Sequence, residues 1–245
     1  MKFFLAFLLS WLPIYSVLAA SLSVELPNEH IALKYSQPVR LHQVLSDSMI
    51  HLKSSSPASF PLANQLFNLD REPEAFSAKL SVLDDLSNLG STKSLQVSSG
   101  ILIEQIKRWD IGYREFVPLD LDVVRDQPSL NPLLDGKYEL LIPQRENKVL
   151  IEGLVYSPKI VDFSSGSTVA SVLSQLTTLS VANNSRAWVV YPDGNYHRVG
   201  YAYWNDEETS LAPGSVIFLG FDSENSELEA LELQIVKLIS MRKNI

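Results

Sequence analysis

Cysteine is absent from the sequence, and histidine is scarce. The lack of cysteine excludes disulfide bridges, cysteine metal ligands and a lipid attached through cysteine. The four histidines are His30, His42, His51 and His197, and no two of them have the spacing of a zinc motif. We therefore expect no metal site, and we expect no cofactor.

Basic residues are also fewer than acidic residues. The chain has 20 Lys and Arg residues against 28 Asp and Glu residues, which gives a formal net charge of −8. An acidic chain repels phosphate backbones and anionic lipid headgroups, so nucleic acid is excluded as an expected partner. Beyond the amino terminus, no apolar run reaches the roughly 20 residues that a spanning helix needs. We expect a soluble body.

The amino terminus has a different character. Lys2 precedes an apolar run from Phe3 to Leu18, which ends in the small residues Ala19 and Ala20. A basic start, a short apolar run and small closing residues are typical of a secretory signal peptide. Pro13 and the shortness of the run argue against the alternative, an uncleaved membrane anchor. Residues 1–20 are therefore predicted to contain a signal peptide. Cleavage after Ala19 is favoured over cleavage after Ala20, which would put the larger Leu18 at position −3.

Catalytic motifs are missing from the sequence. There is no G-x-S-x-G nucleophile motif and no phosphate-binding loop, and Ser167 is explained by a helix cap. Asp120 and Asp122 form a pattern too short to be informative. We expect no catalytic residue and a protein that is not an enzyme. The alternative is an enzyme, which requires two carboxylates, or a serine and a histidine, to converge in one cleft.

Hydrophobic periodicity predicts an α+β protein with two sheet-containing domains. For the first, residues 21–147, the pattern predicts two strands, a helix and then further strands, including strands at 113–117 and 121–124. It carries a predicted insertion of two antiparallel helices at about 71–109. For the second, residues 148–222, the pattern predicts two strands, a helix and then three strands. Both orders suit a small mixed sheet that holds one helix.

A helix with a broad apolar stripe is predicted for residues 223–245. Acidic residues crowd its first half and basic residues its second half, which complements the helix dipole. One reading is that the stripe packs on the helix's own domain. The other is that the helix docks on a partner or on a membrane-associated assembly.

Arginines and aromatic residues are the remaining candidates for binding. A buried, well-oriented arginine at position 114 or 125 would clamp an anion, although a surface ion pair is the commoner outcome. Tyr196, Tyr201 and Trp204 surround the last predicted hairpin, where aromatic faces stack on sugars. Ordinary packing between strands explains the same aromatic residues, because such residues favour strands.

Three stretches together resemble the GfcC-type capsule biosynthesis proteins of Gram-negative bacteria. The first is Gly112-Tyr113-Arg114 with Val117-Pro118-Leu119-Asp120, and the second is Val124-Arg125 with the run from Asn131 to Tyr138. The third begins at Tyr191-Pro192-Asp193-Gly194, passes through Tyr203-Trp204-Asn205 and ends at 212–218. Their shared order carries the resemblance, which extends from about residue 21 to the end of the chain.

The resemblance implies two β-grasp domains, a helical hairpin inserted in the first and an amphipathic C-terminal helix. It also implies a periplasmic, non-enzymatic accessory protein in the biosynthesis or export of capsule, O-antigen or exopolysaccharide. The alternative function is that of a periplasmic polysaccharide-modifying enzyme. The implied partner is a surface polysaccharide or a protein of the export machinery. An arginine in a pocket is a feature of the family; Arg114, beside Tyr113, matches it best, and Arg125 is the second choice.

Overall fold

The computed structural model describes residues 22–52, 60–90, 92–174, 176–223 and 225–244, and the predicted signal peptide lies outside these ranges. The described residues form a mixed α+β protein with six α-helices and eleven strands. Within them, no helix is both long and apolar enough to cross a membrane.

The first half of the chain is built around a four-stranded sheet of order β2-β1-β6-β4. Strands β1 and β6 run parallel, and the other neighbours are antiparallel. Strands β3 and β5 form a separate short pair. The elements are β1 Leu22–Leu26, β2 Ile31–Tyr35, β3 Val39–Arg40, α1 Leu41–His51, β4 Gln65–Asn68, α2 Glu72–Asn88, α3 Lys93–Lys107, α4 Leu121–Asp126, β5 Leu133–Leu134 and β6 Gly136–Leu141.

Simple periodicities explain how this sheet holds its helix. In β1, Leu22, Val24 and Leu26 are buried, since alternate side chains of a strand point to one face. Helix α1 contributes Leu41, Val44 and Leu45 to the same core, at the spacing of one helical face.

Helices α2 and α3 occupy the region of the predicted insertion. The Thr92 hydroxyl caps α3 by accepting a hydrogen bond from the Leu95 N–H. Val82, Leu86 and Leu102 are buried between the two helices and the rest of the molecule. The hairpin therefore belongs to the largest core of the protein.

The second half of the chain contains a five-stranded sheet of order β10-β9-β11-β7-β8. Strands β7 and β11 are parallel, and the other neighbours are antiparallel. Thr168 and Ser171 form a capping box at the start of the helix on this sheet. The elements are β7 Lys148–Gly153, β8 Lys159–Asp162, α5 Val169–Leu173, β9 Arg186–Val190, β10 Tyr196–Gly200 and β11 Val216–Leu219.

The last helix, α6 Ser226–Ser240, packs on its own chain. Its apolar stripe, which includes Leu231, Ile235 and Ile239, is buried in the same core as the helical hairpin. The structure therefore agrees with the first of the two interpretations of this helix, in which the stripe packs on its own chain. The apolar face is covered by the rest of this core.

Two predicted strands are wrong. Residues 121–124 are helical, because the Asp120 carboxylate accepts hydrogen bonds from the Asp122 and Val123 N–H groups and so caps α4. Residues 113–117 form a single bridge, between Arg114 and Phe67 of β4, and no strand of their own. Strand β4 itself was not predicted. Strand β10 ends at Gly200, short of the predicted end at Trp204.

Candidate functional site

Arg114 lies at the junction between the two halves of the molecule. Its segment runs beside β4, where the Asn68 N–H donates to the Tyr113 carbonyl and the Glu115 N–H donates to the Leu66 carbonyl, each at 2.8 Å. These bonds direct the arginine side chain inward, and the residue is 4% exposed.

The Arg114 guanidinium donates to three backbone carbonyls from distant parts of the chain. Nη1 is 3.0 Å from the Ser240 oxygen, and Nη2 is 2.6 Å from the Pro192 oxygen and 3.5 Å from the Asn64 oxygen. Asn64 precedes β4, Pro192 follows β9 and Ser240 ends α6. One side chain thus joins the first sheet, the second sheet and the C-terminal helix.

Burial lowers the pKa of Arg114 to about 10, and the negative charge of Asp193 opposes this shift. A pKa of about 10 still leaves the guanidinium protonated at neutral pH. The junction is therefore a buried cation that is stabilised by carbonyl dipoles and by one nearby carboxylate.

Two of the stretches that carry the family resemblance meet at this junction. Gly194 lies in the turn after β9 with φ +88°, and a Cβ atom built on it would be 2.6 Å from Cε1 of Phe116. The Phe116 ring is itself 58% exposed, and its centroid is 5.8 Å from the Arg114 guanidinium carbon. Glycine is needed here for both its left-handed backbone and the close approach of the ring.

Arg125, the second candidate arginine, is not part of the junction. It is exposed on α4, where it forms ion pairs with Asp122 at 2.9 Å and with Asp126 at 3.5 Å. Tyr113 is half-buried and lies under the guanidinium of Arg71, 3.7 Å from its ring centroid. Of the three residues predicted to bind a ligand, only Arg114 is buried between the two halves. Whether any of them binds a ligand stays a prediction.

The three aromatic residues predicted to contact a glycan have different environments. Tyr196 packs edge-on against Trp188, with ring centroids 6.3 Å apart. The Tyr201 hydroxyl donates to the Asn183 carbonyl at 2.7 Å, and burial raises the pKa of Tyr201. Trp204, by contrast, is 74% exposed, and its neighbour Tyr203 is fully exposed.

The loop that carries Tyr203 and Trp204 is fixed by hydrogen bonds to the side chain of Asn205. The Asn205 side chain accepts from the Ala202 N–H and donates to the Ser185 carbonyl, each at 3.0 Å. Gly200 leaves room for the loop, because a Cβ atom there would overlap the Asn205 carbonyl. The two exposed rings are therefore presented on a backbone of defined shape.

Sequence analysis missed a second buried connection, made by the C-terminal tail, residues 241–244. Arg242 forms an ion pair with Glu152 of β7 and lies over the Trp109 ring at 4.8 Å. The Gln65 side chain donates to the Arg242 carbonyl and accepts from the Asn244 N–H, each at 3.1 Å. Burial raises the pKa of Glu152 and lowers that of Arg242, and each charge opposes the shift of the other.

Glu232 is a third buried charged group that was missed. Its carboxylate accepts from the Trp188 indole N–H at 3.0 Å and from the Phe221 backbone N–H at 2.6 Å. Burial raises its pKa, and these hydrogen bonds oppose the shift. The available signal was an acidic residue within an apolar stripe, and Glu152 in the apolar strand β7 gives the same signal.

In the described part of the chain, no three His, Asp or Glu side chains are grouped so that they could hold a metal ion.

Comparisons with known proteins match nearly the whole chain to one family. Residues 19–145 match the family model described as capsule biosynthesis GfcC, N-terminal. Residues 157–243 match the model described as capsule biosynthesis GfcC C-terminal. A relative from Escherichia coli strain K12, described as uncharacterized protein YjbG, is 36% identical over 172 residues, which cover 69% of this chain and 70% of the relative.

Proposed function

The chain belongs to the GfcC family of capsule biosynthesis proteins, and we propose that it acts in the periplasm as a non-enzymatic accessory protein for the assembly or export of surface polysaccharide. Family membership supports the role in capsule biosynthesis. The pattern of residues 1–20 supports export, because it has the order of a signal peptide. Capsule, O-antigen and exopolysaccharide all fit the proposal.

The observation that carries the non-enzymatic part is the use of the buried charged side chains. Arg114, Glu152, Glu232 and Arg242 each bind a main-chain or side-chain group of another element. Catalytic acids and bases need free proton-transfer positions that face a substrate. The hydrogen bonds of these buried groups already connect two parts of the fold. This use supports a structural role for them, and it fits a protein that binds and does not catalyse.

We interpret the two halves as two β-grasp domains. In each sheet the first strand lies between the second strand and the parallel last strand, as the orders β2-β1-β6 and β8-β7-β11 state. In each half a helix, α1 or α5, follows the first two long strands. Matching strand order and helix position support two copies of one topology.

The glycan contact in this proposal is the pair Tyr203 and Trp204. Both rings are exposed, and the hydrogen bonds of Asn205 fix the loop beneath them. A rigid aromatic surface loses little conformational entropy on binding, and its faces suit the apolar faces of sugars. Arg114 has a different role in the proposal, since its three carbonyl partners suit a joint between the domains.

A complementation experiment tests the proposal. A strain that lacks the gene is supplied with wild-type protein, with the double variant Tyr203→Ala and Trp204→Ala, or with the control Phe76→Ala, which removes an exposed ring from α2. We expect the double variant to lower the amount of surface polysaccharide several-fold, while the control restores it.

Two results would contradict the proposal. One is full polysaccharide production by a strain that lacks the gene. The other is a change in the chain length or substitution of purified polymer during incubation with the pure protein, because this would establish enzymatic activity.

A further inference from the structure

One end of the five-stranded sheet carries loops whose outer side chains face solvent. The first domain contacts the base of this end, where the Gln105 side chain of α3 donates to the Gly153 carbonyl at 2.8 Å and accepts from the Gly153 N–H at 3.0 Å. Strand registers place Gly200 opposite Arg186, Leu219 opposite Gly153, and Lys159 opposite Ile151. The loops after β7 and β10 therefore emerge at the same end of the sheet, which we call the free end, residues 153–159 and 200–205. Its two edges, β8 and β10, are four strand spacings or about 19 Å apart.

A pocket of about 380 Å³ opens at the β8 edge of this end. The loop after β7 forms one wall, and residues 176–177, after α5, form the other. The Val155 bridge to Thr178 and the hydrogen bond from the Leu179 N–H to the Leu154 carbonyl, at 3.2 Å, hold the walls together. The pocket is lined by Val155, Tyr156, Ser157, Lys159, Leu176 and Thr177.

The lining combines three kinds of group that suit a sugar acid. The Tyr156 ring is 72% exposed and offers a face for stacking. Ser157 and Thr177 bring hydroxyl groups that both donate and accept hydrogen bonds. Lys159 adds a cation, and no carboxylate of the described residues forms an ion pair with it. A cation of this kind gains most from a carboxylate in the ligand.

We propose that this pocket binds an acidic sugar residue of the polysaccharide whose chain also contacts Tyr203 and Trp204 at the other edge of the free end. The inference rests on the proposed function, and it adds a second contact and the chemical class of the ligand. A chain that spans both edges engages two sites at once, which raises its affinity above that of either site.

Titration calorimetry with two matched probes tests this inference. The probes are oligosaccharides from the strain's own exported polymer, in native form and after chemical reduction of their carboxyl groups. For Lys159→Gln we expect about tenfold weaker binding of the native probe and unchanged binding of the reduced probe. Tyr156→Ala should weaken both probes by a similar factor. The control is Lys34→Gln, which removes an exposed lysine of β2 and should change neither.

The outcomes separate this inference from the proposed function. If the Tyr203 and Trp204 variants lose binding while Lys159→Gln and Tyr156→Ala do not, the pocket proposal falls and the proposed function stands. Equal wild-type affinity for the native and reduced probes would overturn the acidic class. If the pocket variants lose only a protein partner, the pocket is a protein contact and the inference is wrong. If neither probe binds the wild type, both the pocket and the aromatic contact fail, while the gene-deletion result still tests the role in capsule biosynthesis.

Discussion

The two ends of the second sheet carry similar residues and use them in opposite ways. At the joint end, defined as the turn 191–195, Arg114 and Phe116 of the first half of the chain contact the turn itself. At the free end, Lys159, Tyr156 and Trp204 face solvent. Residue type therefore does not distinguish a structural contact from a candidate binding surface. The distinction depends on whether another segment of the protein packs against the side chain.

The difference arises from which segments cross each end. The Arg114 side chain donates both to the Pro192 carbonyl in the turn at 191–195 and to the Ser240 carbonyl at the end of α6, so its hydrogen bonds are satisfied within the protein. At the free end, the Gln105 side chain of α3 binds the Gly153 backbone and Asn205 fixes the loop after β10, but the outer side chains of Tyr156, Tyr203 and Trp204 are exposed. If this contrast is right, substitutions at the joint end should reduce stability and those at the free end should reduce binding.

The largest expected effect is that of Arg114→Met. The substitution removes the donor from three carbonyls, and hydrogen bonds to charged groups contribute about 1.5–3 kcal/mol each, partly offset here by relief of burying the charge. We expect the free energy of unfolding, measured with urea, to fall by about 3 kcal/mol. The control Arg125→Met removes an exposed arginine and should change stability by no more than about 0.5 kcal/mol. Equal losses for the two variants would break the comparison.

A smaller loss is expected for Gly194→Ala. Its matched control is Gly166→Ala, because φ is +88° at position 194 and +85° at position 166, while a Cβ atom meets Phe116 only at position 194. The control should cost about 1 kcal/mol for the left-handed backbone alone, and Gly194→Ala should cost about 1 kcal/mol more. Thermal unfolding of both proteins measures the difference, and a smaller loss at Gly194 than at Gly166 would contradict the contact with Phe116.

Periodicity predicted the order of strands and helix in the second half of the chain, since this order depends on local patterns. It failed at residues 121–124, where a short alternating run is compatible with both strand and helix and the Asp120 cap decides the outcome. The role of Arg114 could not be derived from local pattern, because its partners are 50, 78 and 126 residues away in the sequence. The same holds for Arg242 and Glu152, which are 90 residues apart.

The smallest effect on stability is expected at the free end. Tyr201 and Tyr203, two residues apart, allow a direct comparison of a packed ring with an exposed one. Tyr201 donates its hydroxyl to the Asn183 carbonyl in the same half of the chain, whereas Tyr203, two residues later, is fully exposed. We expect the double variant Tyr203→Ala and Trp204→Ala to change the free energy of unfolding by less than about 0.5 kcal/mol, and Tyr201→Ala to lower it by about 2–3 kcal/mol. Urea unfolding of both proteins measures this. A loss above about 1 kcal/mol in the double variant would mean that the exposed rings stabilise the fold, and reduced capsule in that variant would then no longer indicate a lost glycan contact.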